Sequence, residues 1–306
     1  MIGFYRAVAI VGATASGKSE IAVRIGRKLR EYGVVAEFIS CDSRKVYKDF
    51  DIGTAKPTKY MDEFRWHLVS IIEPHERFSA KEFEIKAKEL INQILSRGKI
   101  PIIVGGTWLY LRALERGLFP EHQDQDLRKK LEEILKKEGK EKLIGILKDI
   151  DPKALNKIHI NDTYRIIRAI EIKMKSGKSI TEIGFTESFP VAKFGIYRSH
   201  TVLKERIYRR VMKQIQEGLI GEIKNALNLY GEVVPLLKSI ACYEPYLYIT
   251  GKIDFDQMVS LMVSHNFRYA KYQIKVFSRD GTIWFSSEEK MIDFISSFVL
   301  GIGISL

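Results

Sequence analysis

The residues Ala7-Val8-Ala9-Ile10-Val11 and, directly after them, Gly12-Ala13-Thr14-Ala15-Ser16-Gly17-Lys18-Ser19 decide the fold of this chain. The first five are small or β-branched apolar residues, as in a buried strand, and the next eight match the pattern Gly-x-x-x-x-Gly-Lys-Ser. From Lys18 to Leu29 apolar residues recur at helical spacing. A strand, a glycine-rich loop and a helix in this order predict a phosphate-binding loop.

The chemistry of such a loop assigns roles to its residues. Its glycines allow successive backbone N–H groups to point at phosphate oxygens, and the helix N-terminus adds partial positive charge. Lys18 would neutralise phosphate, and the Ser19 hydroxyl would be a ligand of Mg²⁺. Farther along the chain, Arg206, Arg210 and Lys213 form a basic stripe at helical spacing, and we add Arg206 and Arg210 to the predicted phosphate-binding residues.

Further strands and helices alternate along the chain after the loop. Residues 34–40 and 100–104 have strand patterns, and residues 80–96 between them have an amphipathic helical pattern. Alternating strands and helices predict a P-loop NTPase-like α/β fold, with a parallel sheet flanked by helices. Ligands of such sheets bind beyond the carboxyl ends of the strands, so we expect the loop, Asp42 and Thr107 to meet in one crevice.

The strand patterns stop in the middle of the chain. Residues 121–192 are rich in Lys and Glu at helical spacing, and a strand pattern returns only at residues 193–197. We therefore expect a helical insertion domain at 121–192. Residues 1–120 and 193–306 would form the catalytic core with its C-terminal helices.

Composition limits the classes of function. The 306 residues carry a net charge of +12 that is spread along the chain, which favours a polyanionic ligand over a lysine-rich solubilising surface. No apolar run approaches the roughly 18 residues of a membrane helix, so we expect a cytoplasmic protein without membrane contact. The two cysteines, Cys41 and Cys242, indicate neither a disulfide framework nor a zinc site.

The residues alone leave the role of Asp42 open. In ATPases and GTPases an apolar strand usually ends in an acidic metal ligand, but the strand at 100–104 ends in Gly105. The strand before Asp42 is the one that ends in an acid. Asp42 is therefore a candidate metal ligand, general base or helix cap.

Several longer blocks resemble the signatures of the tRNA dimethylallyltransferase family, also called tRNA isopentenyltransferases. The resemblance covers almost the whole chain. Besides the phosphate-binding loop, it rests on Asp42-Ser43-Arg44-Lys45, Asp51-Ile52-Gly53-Thr54-Ala55-Lys56-Pro57, Gly105-Gly106-Thr107, Arg165-Ile166-Ile167-Arg168, Gly218-Leu219, and Arg268-Tyr269-Ala270-Lys271 with Gln273.

This resemblance implies a reaction and assigns further residues. The family transfers a dimethylallyl group from dimethylallyl diphosphate to N6 of the adenine immediately 3′ of the tRNA anticodon and releases diphosphate. It implies that Asp42 is the general base and that Thr107 orients the reacting groups, with Mg²⁺ as cofactor. Asp42, Ser43, Arg44, Lys45 and Thr107 would also contact tRNA, although the family commonly has Gln where Lys45 stands.

The insertion and the C-terminal helices would hold the anticodon stem-loop. No protein partner is indicated, and we expect a monomer. Departures from the family pattern occur at Trp66, Cys242, Tyr272 and Val276. In the insertion and the C-terminal helices, the predicted tRNA contacts are Arg128, Tyr164, Arg165, Ile166, Ile167, Arg168, Arg268 and Lys271.

Three alternatives to this function differ in substrate or class. An adenylate isopentenyltransferase would share the core chemistry but act on a free nucleotide, which does not require an insertion or basic stripes. A P-loop small-molecule kinase would transfer a phosphoryl group. A non-catalytic, nucleotide-dependent RNA-binding module would not need Asp42 and Thr107 beside the loop.

Overall fold

The computed structural model describes residues 5–117, 124–182 and 189–301, and its centre is a six-stranded parallel sheet. The strand order is β3-β2-β4-β1-β5-β6. The predicted parallel α/β fold is confirmed. The strands are β1 (Ala7–Val11), β2 (Ala36–Cys41), β3 (Trp66–His67), β4 (Ile100–Gly105), β5 (Val191–Ile196) and β6 (Ile283–Phe285).

Helices cover both faces of this sheet because alternate strand residues point to opposite faces. One face packs on the first and last helices of the core and the other on the two helices that flank β4. The helices are α1 (Lys18–Glu31), α2 (Ala80–Ser96), α3 (Trp108–Arg116), α4 (Gln125–Glu138), α5 (Lys140–Ile150), α6 (Pro152–Leu155), α7 (Thr163–Ser176), α8 (His200–Gln216), α9 (Leu219–Tyr230), α10 (Tyr243–Ile249), α11 (Phe255–Phe277) and α12 (Glu288–Leu300).

The alternation is visible in β1, the strand before the phosphate-binding loop. Val8 and Ile10 pack against α1 and α12, whereas Ala9 and Val11 pack against α2 and α3. Since β1 lies between β4 and β5, the loop that follows it opens near the centre of the carboxyl edge. The helices α8 to α11 form a third apolar cluster that includes Ala13 of the loop.

The chain divides into two compact units, one formed by Met1–Arg116 with Ser188–Leu306 and the other by Gly117–Glu187. The second unit contains α4 to α7, which pack around a core of their own. Our expected boundaries were 121–192. The first of them lies outside the described residues, and the second falls inside β5, which belongs to the first unit. Within the first unit, Phe189 N donates a hydrogen bond to Glu115 O at 2.9 Å, so the chain leaves and re-enters this unit at adjoining backbone positions.

Some elements have no counterpart in the sequence analysis. The strands β3 and β6 have only two and three residues, too few to show a period. The helix α12 was also missed, although its apolar face completes the packing of one side of the sheet. Within the three described ranges, the helices are too short or too polar to cross a membrane.

Candidate active site

The phosphate-binding loop holds its lysine close to its own backbone. Gly17 lies in the left-handed region at φ 101°, which an L side chain rarely adopts, and α1 begins directly after it. Lys18 Nζ donates to Gly12 O at 3.0 Å and to Ala13 O at 2.5 Å. Burial, followed by the charge of Lys45, lowers the pKa of Lys18 to about 7. The site therefore places a cation where its charge is poorly solvated.

The helix α8 brings two arginines to the same loop. Arg206 Nε donates to Ala15 O at 2.8 Å, and Arg210 Nη1 donates to Thr14 Oγ1 at 2.9 Å. Both side chains line the cavity above the loop. The structure thus brings Arg206 and Arg210 together with the loop residues, as the predicted phosphate site requires.

Gln273 of α11 links the loop to the end of β4, and our site prediction did not include it. Its Oε1 accepts from Thr14 N at 2.7 Å, and its Nε2 donates to Gly106 O at 2.9 Å. A Cβ atom at Gly106 would lie 2.1 Å from Gln273 Nε2, so the contact requires a glycine. The only signal in the sequence was the place of Gln273 in the family pattern.

Asp42 follows β2 at the carboxyl edge of the sheet. Its Oδ1 accepts from Arg44 N at 3.0 Å and lies 3.9 Å from Arg44 Nε. Burial alone would raise the pKa of Asp42, but the charges of Arg44 and Lys45 outweigh it, and the net shift is downward. The carboxylate therefore stays ionised. No helix begins at Asp42, which excludes the helix-cap alternative.

Thr107 lies beside Asp42 because β2 and β4 are neighbours. A Cβ atom at Gly105 would lie 2.0 Å from Cys41 O, so glycine permits this close approach of the two strand ends. Thr107 Oγ1 accepts from Ser43 N at 3.1 Å. Tyr269 lies close to Thr107, and burial raises the pKa of its hydroxyl. The structure thus brings the two predicted catalytic residues to one edge.

Arg44 connects this edge to the C-terminal helices. Its Nη1 donates to Ile240 O at 2.9 Å. The next residue, Ala241, has φ 73°, and its N–H donates to Glu244 Oε2 at 2.9 Å. Glu244 is fully buried and is also 2.6 Å from His265 Nδ1. The charged side chains of Arg44 and Glu244 thus hold the strained backbone at Ala241 through hydrogen bonds to Ile240 O and Ala241 N.

A carboxylate of α9 holds the turn that contains the Gly-Thr-Ala-Lys-Pro block. Glu222 accepts from the N–H groups of Asp51, Ile52 and Gly53 at 2.7, 2.8 and 2.8 Å. Gln214 of α8 donates to Ile52 O at 2.5 Å. Neither side chain was among the predicted site residues, because the local sequence around them shows only helix.

These elements enclose a cavity of about 630 Å³. The Asp51–Pro57 turn forms one wall, and the phosphate-binding loop, Asp42 and the end of β4 form the floor. Cations outnumber carboxylates in the lining, which suits a phosphorylated ligand. The lining cations are Lys18, Arg44, Lys45, Lys56, Lys59, Arg206, Arg209, Arg210 and Lys213.

Ser19 lines this cavity next to Lys18 and fits the predicted Mg²⁺. Across the described ranges no three His, Cys, Asp or Glu side chains group together as a metal cage. A single hydroxyl is nevertheless an adequate protein ligand, because Mg²⁺ at phosphate sites takes most of its oxygens from phosphate and water. The residues present are therefore compatible with the ion.

The predicted tRNA contacts of α7 differ in exposure. The side chain of Arg165 is 69% exposed, whereas that of Arg168 is 20% exposed and lies 3.2 Å from Glu171. Ile166 and Ile167 belong to the core of the second unit. Of these four residues only the arginines have side chains that reach solvent, and the isoleucines fix the helix that carries them.

Arg128 and Tyr164 form a pair in the same unit. Arg128 is mostly buried, with Glu132 at 3.0 Å and Glu171 at 3.6 Å. Its guanidinium lies 4.9 Å from the centre of the Tyr164 ring, and Tyr164 is one of the exposed large side chains. The cation of Arg128 thus stabilises the position of the exposed Tyr164 ring.

Arg268 and Lys271 are both exposed on α11, the helix that also carries Tyr269 and Gln273. The Lys271 ammonium lies 5.1 Å from the centre of the Phe267 ring. The two cations therefore share a helix with Gln273, which lines the cavity.

The fold and the cavity together define a P-loop protein with a cation-lined cavity beside an ionised carboxylate. The IPP transferase family model matches residues 45–280, so the chain belongs to the IPP transferase family. A tRNA dimethylallyltransferase of Finegoldia magna is 37% identical over 286 residues, which cover 91% of this chain and 90% of the relative.

Two solved structures agree with this assignment. The full-length tRNA isopentenylpyrophosphate transferase of Bacillus halodurans superposes with a TM-score of 0.70 at 34% identity, covering 96% of this chain and 95% of that chain. A eukaryotic dimethylallyltransferase acting on tRNA superposes with a TM-score of 0.78 at 25% identity, covering 98% and 81%. The resemblance found in the sequence motifs is thus confirmed at the level of the family.

Proposed function

We propose that this chain transfers a dimethylallyl group from dimethylallyl diphosphate to N6 of the adenine immediately 3′ of the anticodon of tRNA. The observation that carries the proposal is the cavity that joins the phosphate-binding loop to Asp42, with Thr107 hydrogen-bonded to Ser43, the residue after Asp42. We propose that the chain acts as a monomer. It would act on cytoplasmic tRNA.

The loop and its arginines hold the diphosphate of the donor. Backbone N–H groups of the loop, Lys18 and Arg210 surround the place where its oxygens would lie. Negative charge develops on those oxygens when the bond between carbon and oxygen breaks, and preorganised donors stabilise it. Ser19 would hold Mg²⁺, which adds positive charge at the leaving group.

The acceptor amine attacks the allylic carbon of the donor. The new C–N bond forms as the C–O bond breaks, and diphosphate leaves with the electron pair. Alkylation makes the N6 proton strongly acidic, so Asp42 can accept it even though its pKa is lowered. Thr107, held by the backbone N–H of Ser43, orients the amine toward the carbon.

The acceptor base must leave its stack to reach the cavity. Unstacking costs a few kcal/mol, which contacts with the RNA backbone must offset. Arg165 and Arg168 of the second unit and Arg268 and Lys271 of α11 supply the charges for these contacts. Ser43 and Arg44 lie beside Asp42 and would contact the flipped nucleotide.

Transfer to a synthetic anticodon stem-loop tests the proposal. The full chain is incubated with the RNA, dimethylallyl diphosphate and Mg²⁺, and digested nucleosides are identified by mass spectrometry. We expect a prenylated adenosine at the position 3′ of the anticodon, and no product with Lys18→Ala.

Other outcomes would identify the alternatives. Prenylation of free AMP with no reaction on the stem-loop would make the chain an adenylate isopentenyltransferase. RNA-stimulated ATP hydrolysis, or phosphoryl transfer to a small molecule, without prenyl transfer would indicate a kinase or ATPase. Tight RNA binding without any reaction would indicate a binding module.

A further inference from the structure

Lys45 is a cation in the cavity that forms no close ion pair with any carboxylate in the described ranges. It follows β2 in the same turn as Asp42, and it lines the cavity together with Lys18 and Arg210. In the described part of the chain, no carboxylate oxygen lies within 4.0 Å of its ammonium. A poorly solvated charge is costly unless an opposite charge compensates it.

The protein leaves the cations around Lys45 undercompensated. The carboxylate that acts on all four of Lys18, Arg44, Lys45 and Arg210 is that of Asp42, which lies 3.9 Å from Arg44 Nε. Glu244 acts on Arg44 as well but lies against His265. Lys18 and Arg210 donate to neutral oxygens of the loop. Four cations less one carboxylate leave about three positive charges once a bound anion keeps Lys18, whose pKa is about 7 in the free protein, protonated. A fully ionised diphosphate monoester carries about three negative charges.

We propose that Lys45 is a diphosphate-binding residue that supplies positive charge otherwise supplied by Mg²⁺, so that this chain binds diphosphate with only weak dependence on Mg²⁺. The proposal rests on the proposed function and refines it. It assigns Lys45 to the donor, whereas the family resemblance places this position among the tRNA contacts. The two assignments lead to different measurements.

Calorimetric titration of the full chain with inorganic pyrophosphate is the test. Affinities are measured for the wild type and Lys45→Gln, each with excess EDTA and with saturating Mg²⁺. In EDTA we expect Lys45→Gln to weaken binding by roughly tenfold or more, as for the loss of a charged hydrogen bond. With Mg²⁺ the loss should fall to about threefold or less, because the ion restores the missing charge.

Lys48→Gln is the matched control. Lys48 lies three residues after Lys45 but does not line the cavity, and its ammonium is paired with the carboxylate of Glu73. We expect its pyrophosphate affinity to stay within about twofold of the wild type, and Lys45→Arg to retain most of the wild-type affinity. If Lys45→Gln fails to fold, wild-type binding in EDTA remains a test, since it should lie within about tenfold of binding with Mg²⁺.

Three results would overturn the proposal. The first is an unchanged pyrophosphate affinity of Lys45→Gln in EDTA, above all if its tRNA affinity falls instead, which would assign Lys45 to the acceptor. The second is wild-type binding that disappears in EDTA. The third is absence of pyrophosphate binding by the wild type in both conditions, which would refute the diphosphate site of the proposed function as well.

Discussion

At the scale of single residues, the acid that accepts the N6 proton is the most direct test of the chemistry. Asp42→Asn keeps the shape of the side chain and can still accept from Arg44 N, but it cannot take a proton. We expect the chemical step to slow by roughly 10²- to 10⁴-fold, with tRNA affinity within a few-fold of the wild type. Single-turnover transfer and RNA binding measure the two quantities.

A series of Mg²⁺ concentrations distinguishes the general base from a metal ligand. If Asp42 held the ion, high Mg²⁺ would restore much of the rate of Asp42→Asn, and pyrophosphate affinity would fall. A rate close to that of the wild type would remove Asp42 from the mechanism altogether.

A second residue, Glu37, couples stability to pH at the amino end of β2. Its buried carboxylate contacts Lys99 at 2.7 Å, His67 at 2.7 Å and Arg97 at 2.9 Å. Burial would raise the pKa of Glu37, but these partners outweigh it and lower the pKa from 4.5 to about 2. The ionised form is thus stabilised by folding, by about 3 kcal/mol at neutral pH.

The sign of this shift predicts a window of pH. The contribution of Glu37 is complete above about pH 4.5 and is lost as the pH falls toward 2. We expect Glu37→Gln to lower the free energy of unfolding by about 3 kcal/mol at pH 7 and by much less at pH 3. Urea unfolding at both values measures the difference, and an equal loss at the two values would contradict the assigned role of the carboxylate.

At the scale of elements, the turn Asp51–Lys56 depends on a side chain of α9. Glu222→Gln replaces a carboxylate that accepts three backbone N–H bonds by an amide with one acceptor oxygen. We expect faster amide exchange at residues 51–53 and a KM for dimethylallyl diphosphate that rises more than kcat falls, because the turn is a wall of the cavity.

Glu217→Gln serves as the control for this prediction. Glu217 also lines the cavity, but its partner is Lys213 at 3.6 Å on the helix surface. The prediction fails if both variants change KM and exchange to the same extent, or if Glu222→Gln lowers only kcat.

The basic faces of α7 and α11 should act through phosphates. We compare two double variants, Arg165→Gln with Arg168→Gln and Arg268→Gln with Lys271→Gln. Each should weaken binding of the stem-loop and reduce the slope of log affinity against log salt by about one for each phosphate that is no longer neutralised. For the α7 pair the slope should fall by less than this relation gives for two phosphates, since Arg168 is largely covered.

Removal of the same charge elsewhere is the appropriate control. Lys137→Gln with Lys142→Gln neutralises two exposed lysines of the same unit, each paired with a glutamate of its own surface. An equal change of slope in this control pair would show that net charge, and not the proposed phosphate binding by α7 and α11, determines the affinity.

The local pattern of the sequence predicted the elements that create the site but not the contacts that complete it. The strand, loop and helix of residues 7–29 show their periods over a few residues, and β1 and α1 follow them closely. The Thr14–Gln273 and Ile52–Glu222 hydrogen bonds join residues far apart in the chain. Such contacts depend on how helices pack, which no local period reveals.

At the scale of the whole molecule, the division into two units predicts that donor binding belongs to the first unit. Each unit has its own apolar core, and the residues lining the cavity belong to the first. We expect replacement of residues 117–187 by a short flexible linker to leave pyrophosphate affinity within about threefold of the wild type. Affinity for the anticodon stem-loop should fall by at least roughly 10²-fold.

Filter binding and calorimetry on the shortened chain give both values. The full chain with Leu147→Ala, which damages only the core of the second unit, is a comparison in which the chain length is kept. Loss of pyrophosphate binding in a shortened chain that still unfolds cooperatively would contradict the prediction that the donor binds to the first unit alone.

The hydrogen bond from Phe189 to Glu115 has a consequence for the order of folding. The strand β5 can join β1 only after the chain has closed a loop over residues 117–187, at an entropic cost of about 4 kcal/mol for an unstructured segment. A second unit that is already folded holds much of that segment together and removes part of the cost. During synthesis the second unit emerges before β5. If it folds first, it brings the two chain ends close together, so that β5 pairs with β1 quickly.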